Sequence, residues 1–421
     1  MKKIILLHLL LLVANLFVST VSYAEGFGVY EWSAAGVAMG ENYMFAENDP
    51  AVLAYNPSQI TKLRGSYLQF GATWIDPTLG VDYLDRSGKI YNSSNNYSPV
   101  IAPSLFYAQD TKGNNFWWGV GIFPRFGNEI EHGRASLGRY DTVYSQMKGV
   151  TIQPTIAFKP HKKWSLALGL DFNYTGLRMD RAIWVPLYGG FDGGCFNLEG
   201  TSFNVGYVVS AMYDFNDKTS AAVTYRSKIR QSMDADFDVD DRPTLLGGPL
   251  HTRAHGVVTL PDSISFGIGH KLSAKTRVEA DIVWTNWTTY DALNISLDDD
   301  ILPGIKNVNA TKNWSSSWRL GIGLEHKFSK HWALLTGYVF DESPVPDAYI
   351  DLTVPTGDRH RWSAGFKYTP NDYTTWAFAY TMIWTASRTI HGTAINPSFI
   401  TATTNNGLTH AVSLSLTFKL K

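Results

Sequence analysis

The most regular pattern in the chain covers residues 164–175 and reads Trp164-Ser165-Leu166-Ala167-Leu168-Gly169-Leu170-Asp171-Phe172-Asn173-Tyr174-Thr175. Large apolar side chains occupy the even positions, and small or polar side chains occupy the odd ones. Because successive side chains of a β-strand point to opposite faces, this alternation predicts a strand with one apolar and one polar face. Its length is that of a tilted strand crossing a bilayer and exceeds that of the usual soluble strand.

The same pattern recurs along the rest of the chain. Residues 203–215, 376–384 and 412–420 alternate in the same way, with aromatic or aliphatic side chains on the apolar face. Counting such segments, with turn residues between them, predicts fourteen strands. They span residues 65–76, 100–110, 116–126, 147–159, 164–178, 201–214, 219–232, 262–271, 276–287, 314–327, 332–341, 358–369, 373–386 and 407–420.

The connections between these strands alternate in length. Short turns such as 160–163 and 370–372 alternate with segments of roughly fifteen to thirty residues, as periplasmic turns and external loops do in outer-membrane barrels. Aromatic residues such as Trp164 and Trp376 lie near strand ends, which suits two interfacial girdles. A soluble β-sandwich also alternates, but its strands are shorter. We therefore predict an all-β fold, a fourteen-stranded antiparallel transmembrane β-barrel in the bacterial outer membrane.

The composition agrees with a barrel. Aromatic residues make up 14% of the 421 residues and charged residues 17%, while a mean hydropathy of −0.13 is too low for a helical membrane protein. The formal net charge of −1 gives no reason to expect a nucleic-acid partner. Residues 1–24 are predicted to be a signal peptide, with Lys2 and Lys3 before an apolar stretch and Ala24 at the cleavage site. Cys195 is the only cysteine, so no internal disulfide can form.

Residues 25–62 lack the alternation and contain many small residues among scattered apolar ones. This composition predicts short, tightly packed helical turns. Because the segment precedes the first strand, it must either extend into the periplasm or enter the lumen. A barrel of fourteen strands is wide enough to leak when empty, so we predict that residues 25–62 form a hatch that plugs the barrel of residues 63–421.

Several short motifs carry a resemblance to a known family. They are Ser33-Ala34-Ala35-Gly36, Asp49-Pro50-Ala51, Tyr55-Asn56-Pro57, Leu260-Pro261-Asp262, Asp341-Glu342-Ser343-Pro344-Val345-Pro346-Asp347, Asp358-Arg359 and Trp362-Ser363-Ala364-Gly365. In their order and spacing, the chain resembles the FadL family of outer-membrane transporters for long-chain fatty acids and other hydrophobic compounds. Ser58 departs from the family pattern, which has alanine there.

The resemblance implies passive uptake of a long-chain fatty acid or a similar hydrophobic molecule. External loops would capture the substrate, an apolar pocket in the lumen would hold it, and movement of the N-terminus would release it sideways near a kink in the third strand. The implied partners are the substrate, outer-membrane lipid and lipopolysaccharide, and the barrel assembly machinery. We expect a monomer without cofactor, metal or catalytic residues. The residues leave open whether the substrate is a fatty acid, an aromatic hydrocarbon or an alkane.

The residues expected to carry transport fall into three groups. For the lumenal pocket and lateral release they are Phe27, which is expected to reach into the pocket, and Asn56, Pro57, Gly119, Gly121 and Pro124. For loop capture they are Phe191, Phe196, Leu245 and Leu246, and for a substrate carboxylate Arg319, Arg361 and Lys367. Asn56 and Pro57 are expected beside the kink. Gly119 and Gly121 either leave wall space unfilled or serve ordinary barrel curvature. The three inward-facing cations either hold substrate or pair with other charges of the lumen.

Three other interpretations concern parts of the sequence or the whole barrel. The alternating Asp234, Asp236, Asp238 and Asp240 either bind Ca²⁺ or form a solvated loop, which we favour. A diffusion porin for polar solutes would have an open lumen, which the hatch opposes. A barrel lipid hydrolase needs a nucleophile motif, and the run from Gly133 to Gly138 has the wrong spacing for Gly-x-Ser-x-Gly.

Overall fold

The computed structural model describes residues 26–94, 99–113, 115–187, 190–393 and 396–420, so the predicted signal peptide lies outside the described residues. Fourteen antiparallel strands close into a barrel, as predicted. They are β1 (Ser66–Thr78), β2 (Val100–Asp110), β3 (Phe116–Phe123, resuming at Gly127–Glu131), β4 (Tyr144–His161), β5 (Trp164–Val185), β6 (Phe191–Asp214), β7 (Thr219–Arg226), β8 (Ser263–Lys271), β9 (Thr276–Thr285), β10 (Ser317–Lys327), β11 (Trp332–Asp341), β12 (Arg359–Asn371), β13 (Thr374–Thr385) and β14 (Gly407–Leu420).

The first and last strands close the sheet. They pair in antiparallel register from Ser66 opposite Leu420 to Thr78 opposite Leu408. Closure satisfies the backbone donors and acceptors that an open edge would expose to hydrocarbon.

The side chains of β5 face in the predicted directions. Leu168 and Leu170 are 49% and 45% exposed on the outer surface, whereas Asp171 and Asn173 are fully buried in the lumen. Aromatic pairs lie near strand ends, for example Trp164 and Tyr213 with ring centroids 4.8 Å apart. The alternation in the sequence therefore corresponds to an apolar outer surface and a polar inner surface of the barrel wall.

Two predicted strands are interrupted before their predicted ends, whereas β4, β5 and β6 run beyond the predicted 147–159, 164–178 and 201–214. The segment predicted at 219–232 stops at Arg226, because the register against β6 shifts by one residue between the Arg226–Val208 pair and the Asp234–Thr201 pair. The extra residue forms a bulge, and Ser227 Oγ accepts a hydrogen bond from the Tyr207 amide at 2.8 Å. The segment predicted at 116–126 is broken after Phe123.

Strands also build the external loops. β5 and β6 extend outward as a tall hairpin, and β6 continues into a sheet of Ile229–Val239, Leu250–Leu260, Ala292–Leu297 and Asn307–Thr311. A second small sheet contains Gly80–Leu84, Ile90–Ser94, Thr389–His391 and Thr401–Thr404. These sheets form a folded cap over the external end.

The N-terminal segment folds into short helical turns inside the barrel. They are α1 (Ala34–Ala38), α2 (Val52–Tyr55) and a 3₁₀ helix (Pro57–Lys62). Ser33 caps α1 by accepting a hydrogen bond from the Gly36 amide at 3.1 Å. We call residues 26–62 the hatch. Within the part of the chain that the structure describes, no helix has the length and apolarity needed to span a membrane.

Candidate functional site

The barrel wall is interrupted at β3. Phe123 pairs with Thr151 of β4, and pairing resumes with Gly127 opposite Lys148, so 124–126 on β3 oppose only two residues on β4. Pro124 has no amide hydrogen, which prevents a regular ladder at this point. We call residues 124–126 the break.

The neighbouring strand does not close the wall beside the break. The β2–β3 ladder ends at the Leu105–Ile122 pair, although β2 continues outward to Val100 along β1. Between the outer end of β2 and Gly127–Glu131, the described residues form no ladder pair. The wall therefore has a lateral discontinuity between β2 and β3.

The start of the hatch forms hydrogen bonds with the residues of the break and with Gly127. The Val29 amide donates to Arg125 O at 2.9 Å, and the Gly127 amide donates to Phe27 O at 2.8 Å. The indole Nε1 of Trp32 donates to Pro124 O at 2.6 Å. These bonds replace part of the missing ladder, so the wall here is completed by the start of the hatch.

The Phe27 side chain lies in an aromatic cluster. Its ring centroid is 4.6 Å from that of Trp287, 5.4 Å from Tyr290, 5.7 Å from Trp314 and 6.1 Å from Phe126. Such pairs stabilise by about 0.5–1.5 kcal/mol beyond their buried area. Two residues predicted from the sequence therefore lie at the same discontinuity. Pro124 interrupts the ladder, and Phe27 fills the resulting gap.

The other residues predicted for release lie elsewhere. Asn56 Oδ1 accepts hydrogen bonds from Ser58 Oγ and Ser210 Oγ, both at 2.6 Å, and Ser210 belongs to β6, three strands from the break. The expected position of Asn56 beside the kink is therefore wrong, because its side chain is engaged in anchoring the hatch to β6. Pro57 begins the 3₁₀ helix that follows it.

The expectation of unfilled wall space at Gly119 and Gly121 is also wrong. A Cβ atom on Gly119 would lie 2.8 Å from Leu53 of α2, and one on Gly121 would lie 3.1 Å from the Phe106 ring. Both glycines face the lumen, where the hatch and neighbouring rings fill the space. Gly119 permits close packing of the hatch against the wall, and Gly121 leaves room for the Phe106 and Phe123 rings.

Two of the three predicted cations pair with the hatch. Arg361 Nη1 lies 2.8 Å from Glu31 Oε1 and 3.1 Å from Glu41 Oε1, and Arg319 Nη2 lies 2.8 Å from Glu41 Oε2. All four side chains are buried. The third cation, Lys367, pairs with Glu325 of the wall at 2.5 Å. The lumen charges therefore pair with protein carboxylates.

A further buried cation was not singled out from the sequence. Arg226 of β7 lies 3.2 Å from Asp171 of β5, and Arg125 at the break lies 2.7 Å from the same carboxylate. Arg226 also donates to Ala54 O of the hatch at 2.6 Å. Asp171 and Arg226 both occupy strand positions whose side chains point into the lumen. This alternation could have identified them from the sequence.

The lumen is closed around these groups. A cavity of about 40 Å³ lies between the hatch and the wall and is lined by Val29, Tyr30, Arg226, Trp287 and Arg319 among others. Binding pockets for drug-sized molecules typically measure about 300–1,000 Å³. The hatch or its neighbours must therefore move before a long ligand can enter.

The external loops contain a large apolar cluster. Phe196 stacks on Phe237 with ring centroids 4.9 Å apart. Leu246 is buried but lies outside this cluster. Leu245, by contrast, is 72% exposed, and Phe191 is partly exposed. The same cluster extends without interruption to Phe27 at the break. The structure thus brings Phe196 and Phe27 into one apolar region, to which Phe191, Leu245 and Leu246 do not belong.

The acidic side chains of the strand Ile229–Val239 pair with side chains of the neighbouring strand Leu250–Leu260. Asp234 Oδ1 accepts from His255 Nδ1 at 2.7 Å, Asp238 Oδ1 lies 2.8 Å from His251 Nδ1, and Asp236 forms an ion pair with Arg253. Within the described ranges, no group of three or more His, Cys, Asp or Glu residues could hold a metal ion. The acidic row therefore lies mainly on a strand, where its side chains pair with those of the neighbouring strand.

Comparison with known proteins identifies relatives along the whole barrel. Residues 15–418 match the family model described as outer membrane protein transport protein (OMPP1/FadL/TodX). A long-chain fatty acid transport protein from Escherichia coli O6:H1 is 23% identical over 397 residues, which cover 86% of this chain and 87% of the relative.

Solved structures share the fold. A Pseudomonas aeruginosa FadL homologue superposes with a TM-score of 0.83 at 17% identity, covering 94% of this chain and all of the homologue. The toluene transporter TodX of P. putida gives a TM-score of 0.70 at 15% identity, covering 93% of this chain and 99% of TodX. The family consists of transport channels and not enzymes. The chain belongs to the OMPP1/FadL/TodX family of outer-membrane transport proteins.

Proposed function

We propose that the protein takes up long-chain fatty acids or similar hydrophobic molecules passively, by loop capture, a lumenal site and lateral release between β2 and β3. The observation that carries the proposal is the break, which is closed by hydrogen bonds to residues 27–32 and not by a wall strand. A plug of this kind can move without unzipping a ladder. Relatives of this chain bear the names of fatty acid and toluene transporters.

The apolar cluster supports a route from the loops to the break. It links the external hairpins to the aromatic rings around Phe27. Each methylene that leaves water for an apolar site gains about 0.8 kcal/mol. A long chain would therefore partition into this region without an energy source, and the Phe27 side chain would have to leave its aromatic cluster to make room.

A disulfide across the break tests lateral release. Gly28 and Phe126 are partners in an antiparallel bridge, and paired β residues lie within the Cα separation that a disulfide tolerates. The double variant Gly28→Cys/Phe126→Cys is made with Cys195→Ala, so that no third thiol interferes. With radiolabelled oleate and cells that depend on this protein, we expect uptake to stop after oxidation and to return after reduction.

Matched variants separate the crosslink from its component substitutions. Gly28→Cys and Phe126→Cys, each alone with Cys195→Ala, should keep uptake under oxidising conditions. If the oxidised double variant transports oleate as fast as its reduced form, lateral release at the break is wrong. Large, stable ion-conducting openings of the unmodified protein in planar bilayers would instead favour a porin.

The remaining partners are part of the same proposal. We expect lipopolysaccharide and outer-membrane lipid to contact the apolar outer wall, and the barrel assembly machinery to insert the chain. We expect a monomer, because a closed sheet leaves no strand edge for a second copy.

A further inference from the structure

A cavity of about 610 Å³ opens at the end of the barrel that carries the short turns, opposite the cap. Residues 47–49 of the hatch form its inner end, and β8 to β14 with Tyr67 of β1 form its sides. In outer-membrane barrels the short turns face the periplasm. We call this cavity the vestibule. It is open to periplasmic water, and the barrel wall separates it from the lipid head groups around the protein.

The vestibule carries an excess of positive charge. Seven of its described lining residues are lysine or arginine, and four are aspartate or glutamate. Lysines occupy inward-facing positions near the periplasmic ends of four alternate strands: Lys271 on β8, Lys327 on β10, Lys367 on β12 and Lys419 on β14. The alternation that gives these strands an apolar outer surface therefore also places their terminal charges inside the mouth of the barrel.

Three of the cations are neutralised within the protein. Lys271 Nζ lies 2.5 Å from Glu47 Oε1 of the hatch. Glu325 of β10 pairs with Arg277 at 2.6 Å and with Lys367 at 2.5 Å. The contact between Lys271 and Glu47 is the kind of contact that an acidic segment entering the vestibule would form with the remaining cations.

Four lysines of the vestibule form no ion pair with a carboxylate of the described residues, namely Lys275, Lys327, Lys330 and Lys419. The first three are exposed, and the fourth is half-buried. The other acids do not compensate them, because Asp49 is buried and accepts hydrogen bonds from Tyr43 and Gln69, and Asp372 is a single exposed turn residue. A cleft lined by one sign of charge concentrates ligands of the opposite sign.

The spacing of these lysines favours an extended ligand. Lys275 immediately precedes β9 and Lys419 lies on β14, so five strand spacings of about 4.8 Å, or about 24 Å along the wall, separate them. An extended peptide rises about 3.3 Å per residue, so about seven residues cover this distance. A small anion would contact only part of the arc. Lysine ammonium groups on flexible stems suit a series of separate carboxylates.

We propose that the vestibule is a docking site for an extended acidic segment of a periplasmic protein, about seven residues long. Carboxylates of this segment bind Lys275, Lys327, Lys330 and Lys419, and the segment lies next to residues 47–49 of the hatch. The proposal goes beyond uptake of a hydrophobic molecule. It does not depend on lateral release, because none of these lysines lies at the break.

Fluorescence anisotropy with two labelled peptides tests the site on the purified protein in nanodiscs of neutral phosphatidylcholine. The probes are seven glutamates and seven glutamines, which differ in charge. We expect only the glutamate peptide to bind at low ionic strength, and added salt to weaken its binding. Lys275→Gln/Lys327→Gln should reduce the affinity by about tenfold, the combined effect of two exposed ion pairs. Lys275→Arg/Lys327→Arg should retain it, because the charge is kept.

Lys112→Gln/Lys162→Gln is the matched control, since it removes the same charge from exposed turns that do not line the vestibule. We expect it to change the affinity by less than about twofold. An equal loss in both glutamine variants would overturn the site, because binding would then depend only on the overall charge of this end. Absence of glutamate-peptide binding would also overturn it. Inorganic tripolyphosphate is the probe for a small anion, and its binding in place of the peptide would show that the proposed occupant is wrong.

Discussion

Two parts of the barrel wall are closed in different ways. β5 and β6 form an almost continuous ladder from Trp164 opposite Tyr213 to Val185 opposite Phe191. β2 and β3 share a ladder only from Leu105 to Asp110, and beyond it residues of the hatch complete the wall. The first closure depends on backbone bonds between neighbouring strands, and the second depends on how firmly the hatch is held. The hatch contacts should therefore control opening at one side of the barrel only.

The largest expected effect comes from the buried charges that hold the hatch. Arg361→Met leaves Glu31 without its partner and Glu41 with one cation fewer, which costs about 3–5 kcal/mol for a broken buried pair. We expect conducting openings to become frequent in planar bilayers. The control variant Arg230→Met, at an exposed position of the external strand Ile229–Val239, should leave the conductance unchanged. A closed Arg361→Met channel would show that the hatch is held by other contacts.

A smaller effect is expected from steric displacement of the hatch. A Cβ on Gly337 of β11 would lie 2.1 Å from the carbonyl carbon of Met39, and a backbone atom cannot rotate away. Gly337→Ala should destabilise hatch docking by about 1–3 kcal/mol, the usual range for overpacking. Hydrogen exchange of residues 34–40 measures this loss. Gly176→Ala on β5, where no atom lies within 4 Å, is the control and should exchange at the native rate.

A more local effect is expected at the break itself. Trp32→Phe removes the donor to Pro124 O and leaves a buried carbonyl without it, at a cost of about 1–3 kcal/mol. Faster amide exchange of residues 27–32 should follow, with no change in β5 or β6. Trp164→Phe, on the outer surface of β5, should not affect the hatch. Unchanged exchange at Val29 would mean that the indole bond does not hold the plug.

The smallest effect concerns the cap and depends on pH. Burial lowers the pKa of His132 from 6.5 to about 4, while its ring contacts Leu352 O at 3.0 Å. The native state thus binds a proton less readily than the unfolded loop. The contribution of the neutral His132 side chain to the stability of the folded cap is fully present above pH 6.5 and is lost as the pH falls toward 4.

Labelling of Cys195 follows this change in the cap. The thiol is buried in the β6 extension opposite Ala182, whose amide bonds to Arg139 O of the loop after β3. With a disulfide reagent that reacts at acidic pH, and with each rate divided by that of a free thiol at the same pH, we expect relatively faster labelling at pH 5 than at pH 7. His132→Gln removes the titrating group and should abolish this dependence; an equal dependence in the variant would assign it to another residue.

Local patterns predicted most of the wall. Alternation has a period of two residues, so it identifies a strand and its two faces from the strand alone, and the predicted 100–110, 332–341 and 407–420 agree with β2, β11 and β14. The same parity placed Arg319 and Arg361 in the lumen. Their carboxylate partners could not be read in this way, because Glu31 and Glu41 lie on a segment without alternation.

The site depended on contacts between distant parts of the chain. The sequence around Pro124 indicates an interruption, but only the folded chain shows that Phe27 and Val29 repair it. Gly119 illustrates the converse error. From the sequence, a glycine in a strand suggests unfilled space beside the wall. In the folded chain Leu53, sixty-six residues earlier, fills the space beside Gly119. Asn56 was misplaced for the same reason, since its partner Ser210 lies 154 residues away.

The β1–β14 seam has a consequence for the order of events during maturation. The strand that completes the circumference is the last one in the chain, while the segment enclosed by it comes before the first strand. Because the cap covers the external end, residues 26–62 enter either before Leu420 meets Ser66 or through the end that carries the short turns. In the first case the barrel is already plugged when its sheet closes, and we expect no unplugged intermediate in the membrane.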